Sequence, residues 1–431
     1  VSTSSRTTAV LFALGALSAA PNVALAQPVE RFLERAPRAL DVRESALVAQ
    51  QRADEQWQSI GRLLPSLSAR AGYTHNQFEV GVTLPSGSAA APTQITITPY
   101  NQVDLSVTLD VPLVDVAGWA RVDAARASRD AAERRAQLTV EQAQRSIARS
   151  YFQWVGSSAL QRSAQRAAEV AQRALDRVRA RLQSGAATEL DVARAASDLA
   201  RAQQTLADAV LVTQTSARAL ESLTGLAPSA APALSDPLTA ESPLEAWEAN
   251  ATETASVRQA IAEARAQRAQ SRAAWWALSP TLNASATERI TNAAGFGQPA
   301  TFSAGVSLAW RIDATSVASA RSSEAASSIA DVRVERALQQ ARDEIHSSWW
   351  QVRAGIARAT ASRARADAAR RATTAARARL SQGAGNEFDV LVAERDEFEA
   401  EVAVTQADAD LAYARVALRV AAGRAVSGGA R

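Results

Sequence analysis

The chain has 431 residues, 47% of them hydrophobic, with 47 basic and 44 acidic residues for a formal net charge of +3. It contains no cysteine, no methionine and no lysine, and its only histidines are His75 and His346. These absences exclude a thiol nucleophile, a disulfide, a Walker A loop and a Schiff base, and they leave no expected metal or cofactor site.

Aromatics supply only 5% of the residues, so the apolar share rests heavily on alanine. Alanine has the highest helix propensity and lets helices approach closely, which favours long packed helices over a thick globular core. The cationic charge is all arginine, interleaved with Ala, Asp and Glu. That pattern reads as solvated helix faces carrying ion pairs, not as a one-sided basic patch for nucleic acid.

Residues 1–26 read as a secretory signal. Arg6 gives the positive start, Ala9 to Ala20 the apolar stretch, and Ala24-Leu25-Ala26 the small-x-small cleavage pattern, with Gln27 as the mature start. The stretch is shorter than the ~20 residues of a spanning helix, and no other run of about 18 apolar residues follows. Membrane residence would therefore require a β-barrel.

Residues 29–61 have helical patterning. Pro65 opens an alternation with Leu67, Ala69, Ala71 and Tyr73 on one face and Ser66, Ser68, Arg70 and Thr74 on the other. Residues 81–93, rich in Gly, Ser, Pro and Ala, read as a loop. Val103, Leu105, Val107, Leu109 and Val111 then alternate with Gln102, Asp104, Ser106, Thr108 and Asp110. Period two over nine or ten residues is a strand with one oily and one wet side, at the ~9–11 residues a membrane-spanning strand needs. The competing reading is a soluble sheet whose oily side lies on a core.

From 116 to 182 no proline occurs and, beyond Gly118 in the first turn, Gly156 is the one interior glycine, so a single helix on the order of 100 Å long is expected. A second helix over 188–224 carries Val192, Leu199, Leu206 and Leu220 at sevenfold spacing, with Thr213 in phase, as in a coiled-coil seam. Residues 226–244, rich in Pro, Ala and Ser, form a linker between a first unit (27–225) and a second (245–424), ahead of a short tail (425–431). The second unit predicts strands around 281–287 and 302–311 flanking a loop at 292–300, then helices at 315–380 and 387–422. Gly225 and Gly423 stand where helix C-caps belong.

The units are copies. Arg181-Leu182-Gln183-Ser184-Gly185-Ala186-Ala187-Thr188-Glu189-Leu190-Asp191-Val192 returns as Arg379-Leu380-Ser381-Gln382-Gly383-Ala384-Gly385-Asn386-Glu387-Phe388-Asp389-Val390, at an offset of 198 residues. The same offset carries Ser150-Tyr151-Phe152-Gln153-Trp154 onto Ser348-Trp349-Trp350-Gln351-Val352 and Gly225 onto Gly423. Three matches at one offset point to duplication.

With Leu64-Pro65-Ser66-Leu67 and the Val107–Asp115 stretch ending Pro112-Leu113-x-Asp115, these turns and the duplicated helix-strand-strand-helix order resemble the outer membrane efflux protein family typified by TolC. The resemblance covers nearly all of the chain after residue 26. It implies a mainly α protein with a membrane β-barrel: a homotrimer whose four strands per chain close a 12-stranded barrel in the outer membrane of a Gram-negative bacterium, continued by a long helical tunnel through the periplasm. It implies no enzyme, but a passive conduit of a tripartite efflux or type I secretion system, with a periplasmic adaptor (membrane fusion protein), an inner membrane pump and outer membrane lipid as partners. Leu182, Gly185, Leu380 and Gly383 would dock the adaptor, although glycine there is equally explained as a helix terminator. Asp389, with Glu387 and Asp191, would line the periplasmic aperture. Against that stands a local role, in which Thr188 pairs with Asp191 and Asn386 with Asp389 as capping boxes. The alternative function is a periplasmic coiled-coil adaptor or structural envelope protein, which the two equivalent hairpins and the strand pairs argue against. The acidic run Glu394, Asp396, Glu397, Glu399 and Glu401 reads as a solvated helix face or as tunnel lining.

Overall fold

The structure, a computed structural model, describes residues 27–84, 93–232, 234–385 and 387–424. The signal and its cleavage site, and the tail from 425, lie outside the described residues. A short helix α1 (Val29–Leu33) leads into α2 (Leu40–Gly61), strand β1 (Ser66–His75), a hairpin of β2 (Val80–Leu84) and β3 (Thr93–Thr98), and strand β4 (Asn101–Val114). Then come α3 (Val116–Gln183) and α4 (Glu189–Thr224). After a linker the second unit runs α5 (Leu244–Glu248), α6 (Ala255–Trp276), β5 (Thr281–Thr291), β6 (Ala300–Ala309), α7 (Ala314–Ser381) and α8 (Glu387–Ala421).

The long helices α3 and α7 each have 68 residues and begin and end 198 residues apart. Near 1.5 Å per residue both are about 100 Å long. Each starts on an aspartate N-cap at the end of a strand: Asp115 accepts from the Gly118 amide at 2.7 Å, and Asp313 from the Ser316 amide at 2.7 Å. Among the described residues no helix is long and apolar enough to cross a membrane.

The seam predicted on α4 exists. Of the sevenfold positions, Thr213 and Leu220 are buried and Val192, Leu199 and Leu206 half-buried, with Ala195, Ala209 and Ser216 buried between them. Small side chains bring α3 and α4 close enough for polar contacts: the Thr213 hydroxyl donates to the Ser157 carbonyl at 3.0 Å, and the Ser157 and Ser216 hydroxyls meet at 2.9 Å.

Large side chains gather at mid-length of the long helices. Phe32 of α1 packs on Tyr151 with ring centroids 5.5 Å apart, beside Ile147, Phe152, Trp154 and Leu220. The copy of this cluster holds Trp247 of α5 with Ile345, Val352, Leu411 and Leu418. Ile147 and Leu220 are the 198-residue counterparts of Ile345 and Leu418. Short segments thus wrap a belt around both hairpins, and most of the remaining helix packing is alanine.

The four long strands form one antiparallel sheet in the order β1-β4-β5-β6. The stretch expected as a loop at 81–93 differs: Val80–Leu84 pairs with Thr93–Thr98 as a two-stranded hairpin. Alternating β-branched residues (Val80, Val82, Thr96, Thr98) drive the pairing, and the Gly- and Pro-rich composition around them hid it. The second unit has no such hairpin, so the copies are not strictly helix-strand-strand-helix in both halves.

Candidate functional site

Two surfaces carry the functional argument: the faces of the sheet and the tips of the helical hairpins. Strand register sorts the sheet residues into rows. One side carries Leu67–Leu109–Ala286–Ala304, with Ala69–Val107–Glu288–Phe302 and Ala71–Leu105–Ile290–Ala300 beside it. The other carries Ser68–Thr108–Thr287–Ser303, flanked by Ser66–Asp110–Ser285–Gly305 and Arg70–Ser106–Arg289–Thr301.

The oily side is bare, and the outer strands β1 and β6 are exposed on both faces. Leu67 is 71% exposed, Leu109 40%, Phe302 69% and Leu308 69%. On the wet side of β4, Gln102, Asp104, Ser106 and Thr108 are half-buried. They bond within the sheet: Arg289 meets Asp104 at 2.6 Å and the Thr108 and Thr287 hydroxyls lie 3.1 Å apart. A soluble sheet places its oily side on a core, and these exposed side chains have none over them. Glu288 interrupts the oily side, in one row with Ala69, Val107 and Phe302. Strand ends carry exposed tryptophans and other aromatics: Trp119, Trp276 and Trp310 at the helical end, Tyr73, Phe78 and Phe296 at the free end.

The hairpin turns share the same pair of hydrogen bonds and the same left-handed glycine. In the first, Gly185 adopts φ 74°, its amide donates to the Leu182 carbonyl at 2.9 Å, and Ala186 donates to Arg181 at 2.8 Å. In the second, Gly383 has φ 75° and bonds the Leu380 carbonyl at 3.0 Å, while Ala384 donates to Arg379 at 3.0 Å. This is the paired Schellman arrangement, which needs a left-handed residue and hence glycine. Leu182 and Leu380 therefore serve the turns through their carbonyls, and the Leu380 side chain stays partly exposed. The helix-terminator role is real at both tips. It leaves the partner role open, because both glycines face open space.

Asp191 closes a capping box: its amide donates to the Thr188 hydroxyl, and its carboxylate accepts from the Thr188 hydroxyl at 2.7 Å and amide at 2.9 Å. Those donors, the hydroxyl first, hold the Asp191 carboxyl below the usual carboxylate range. Asp389 occupies the matching place on α8 and is exposed. Asn386 and the side chain of Glu387 lie outside the described residues. Each group of predicted residues thus sits at its own tip: Leu182, Gly185 and Asp191 at one, Leu380, Gly383 and Asp389 at the other.

Two tip residues escaped sequence reading. Leu190 and Phe388, one copy of the other, are each 58% exposed on the first turn after the tip. Their signal was the repeat, which keeps a large apolar residue at a position facing solvent. The acidic run on α8 is largely partnered: Glu394 bonds Arg377 at 2.8 Å, Glu397 approaches Arg370 at 3.9 Å and Glu399 approaches Arg365 at 3.7 Å, all on α7, and Glu401 approaches Arg166 on α3 at 3.3 Å. Among the described residues no cluster of three or more His, Asp or Glu could hold a metal.

Solved structures share this fold. The Campylobacter jejuni CmeC outer membrane channel superposes with a TM-score of 0.77 at 16% identity, over 92% of this chain and 85% of that one. The Vibrio cholerae outer membrane protein VceC gives 0.74 at 20% identity, over 93% and 97%. The Neisseria gonorrhoeae MtrE outer membrane channel, in its open state, gives 0.73 at 17% identity, over 92% and 89%. No curated protein sequence matches the chain. The sequence model of the outer membrane efflux protein family matches residues 35–226 and 248–424, nearly all of both helical units and all four long strands. The chain belongs to the outer membrane efflux protein family.

Proposed function

We propose that three copies of this chain close a 12-stranded barrel in the outer membrane and that their helices continue it as a duct across the periplasm. The observation that carries this is the oily side of the sheet, whose large side chains Leu67, Leu109, Phe302 and Leu308 stand exposed with no core over them. Lipid is the environment that rewards that arrangement. Both outer strands, β1 and β6, leave an edge unpaired within the chain. A bilayer does not tolerate such edges, and pairing β6 of one copy with β1 of the next removes them.

On this reading residues 1–26 direct export, 27–225 and 245–424 are the two efflux units, and 226–244 links them. Solutes pass from the periplasm or an inner membrane pump to the exterior without catalysis, cofactor or nucleic acid. The tips, with Leu182, Gly185, Leu380 and Gly383, dock a periplasmic adaptor, and the exposed Leu190 and Phe388 add apolar surface to that contact. Asp191, Glu387 and Asp389 line the entrance. The test is reconstitution of the purified protein in planar lipid bilayers. Stepwise single-channel currents are expected, and a protein that inserts yet never conducts contradicts the reading.

A further inference from the structure

The wet side of the sheet carries charge at a definite height. Arg70 pairs across to Ser106, Ser106 to Arg289, and Arg289 to Thr301, so both arginines stand on one level near the middle of β1. Their surroundings differ. Arg289 is neutralised by Asp104, one step towards the free end of the sheet, at 2.6 Å. Among the described residues no carboxylate lies within ion-pair distance of Arg70. Asp110, the other acid on this side of β4, is four residues away towards the helices, about 13 Å along the strand. That exceeds the ~8–10 Å over which charges act through salt solution. Arg62 and Asp110 both line a cleft of about 830 Å³ at the helical end of the sheet. Towards the free end, Glu79 is the one charged residue from 76 to 103, and 290–301 has none.

We propose that Arg70, resting on the trimeric barrel reading above, forms a cationic ring at mid-height of the barrel, with Arg289 beside it, that favours anionic solutes within the barrel, opposite in sign to the carboxylates at the periplasmic entrance. Twelve strands at ~4.8 Å spacing and ~40° tilt close a backbone cylinder about 24 Å across. Guanidiniums reaching inward from its wall bring their charge within about one screening length of the axis. Three uncompensated charges at one height therefore act on every ion that passes, whereas the Arg289–Asp104 pairs largely cancel. The solutes favoured carry carboxylate, phosphate or sulfonate groups.

The experiment is the reversal potential of bilayer-inserted channels under a dilute potassium chloride gradient, for the unaltered protein, Arg70→Gln and Arg70→Lys. The chloride-to-potassium permeability ratio should fall about twofold or more in Arg70→Gln, stay near the original in Arg70→Lys, and the difference should shrink near 1 M salt, where screening falls to ~3 Å. A conducting Arg70→Gln channel with an unchanged ratio in dilute salt overturns the ring. Absence of any conductance in the unaltered protein instead overturns the barrel reading beneath it.

Discussion

Asp115 and Asp313 stand 198 residues apart and make the same bond, each accepting from the backbone amide three residues on at 2.7 Å. Each turns a sheet strand into a 68-residue helix. Asp115 also holds Arg121 at 2.9 Å. Asp115→Ala is expected to cost about 1 kcal/mol, the usual loss of an N-cap, read as a lowered unfolding midpoint in detergent. At Asp313 the Ser316 amide and hydroxyl hold the carboxyl below its ordinary value. A depressed folded value means the stabilisation is present at neutral pH and fades as pH falls through that value. The midpoint gap between the original protein and Asp313→Asn should therefore narrow from pH 7 to pH 3.

The two sides of one strand should respond oppositely to the same charge. Leu109 lies in an all-apolar row on the oily side, and its neighbour Thr108 faces the wet side. Leu109→Arg, three residues from the Ser106 level, is expected to cost about 1–3 kcal/mol of membrane stability, between the midplane and interface values, and to deplete the protein from the outer membrane fraction. Thr108→Arg should be recovered there at near-normal levels. Equal recovery of both variants would contradict the assignment of faces.

The linker between the units is clamped from α8. Arg415 bonds Asp236 at 2.8 Å, the Thr239 carbonyl at 2.8 Å, and Glu241, all three ionic side chains being mostly buried. Arg363 adds bonds to the Asp236 carbonyl and to buried Asp408. Removing one partner of such a group strands the remaining charges, so Arg415→Ala is expected to destabilise by about 3–5 kcal/mol. Limited proteolysis should then cut first within 226–244.

The two tips are not interchangeable. A Cβ on Gly385 would lie 2.8 Å from the Leu380 amide nitrogen, backbone that cannot step aside. The first tip already has Ala187 at that place. Gly385→Ala should loosen the second turn, at about 1–3 kcal/mol for such overpacking, and speed amide exchange across 379–385. Exchange at 181–187 should not change.

Much of this architecture is readable from residue patterns alone. The absence of proline over 116–182 and the sevenfold spacing of Val192, Leu199, Leu206 and Leu220 define helix type and length, and the turn repeat aligns both hairpins. Period-two alternation at 102–111 reveals a strand with two unlike faces. It does not reveal which face is bare, because that depends on neighbouring strands and on the absence of a core. The β2–β3 hairpin stayed hidden since strands of five and six residues leave too short an alternation. The Arg377–Glu394 pair and the Arg415 clamp were likewise invisible: both join residues whose nearness follows from how helices and linker cross. At the tips, turn chemistry is legible in Gly185 and Gly383, whereas a docking role depends on surfaces of another molecule.

The most direct test is the native mass of the mature protein purified from membranes in detergent, with the bound detergent subtracted by light scattering. Three chains per particle are predicted, in a preparation that precipitates when detergent is withdrawn. A single chain per particle that stays dispersed in plain buffer would contradict the account at its root.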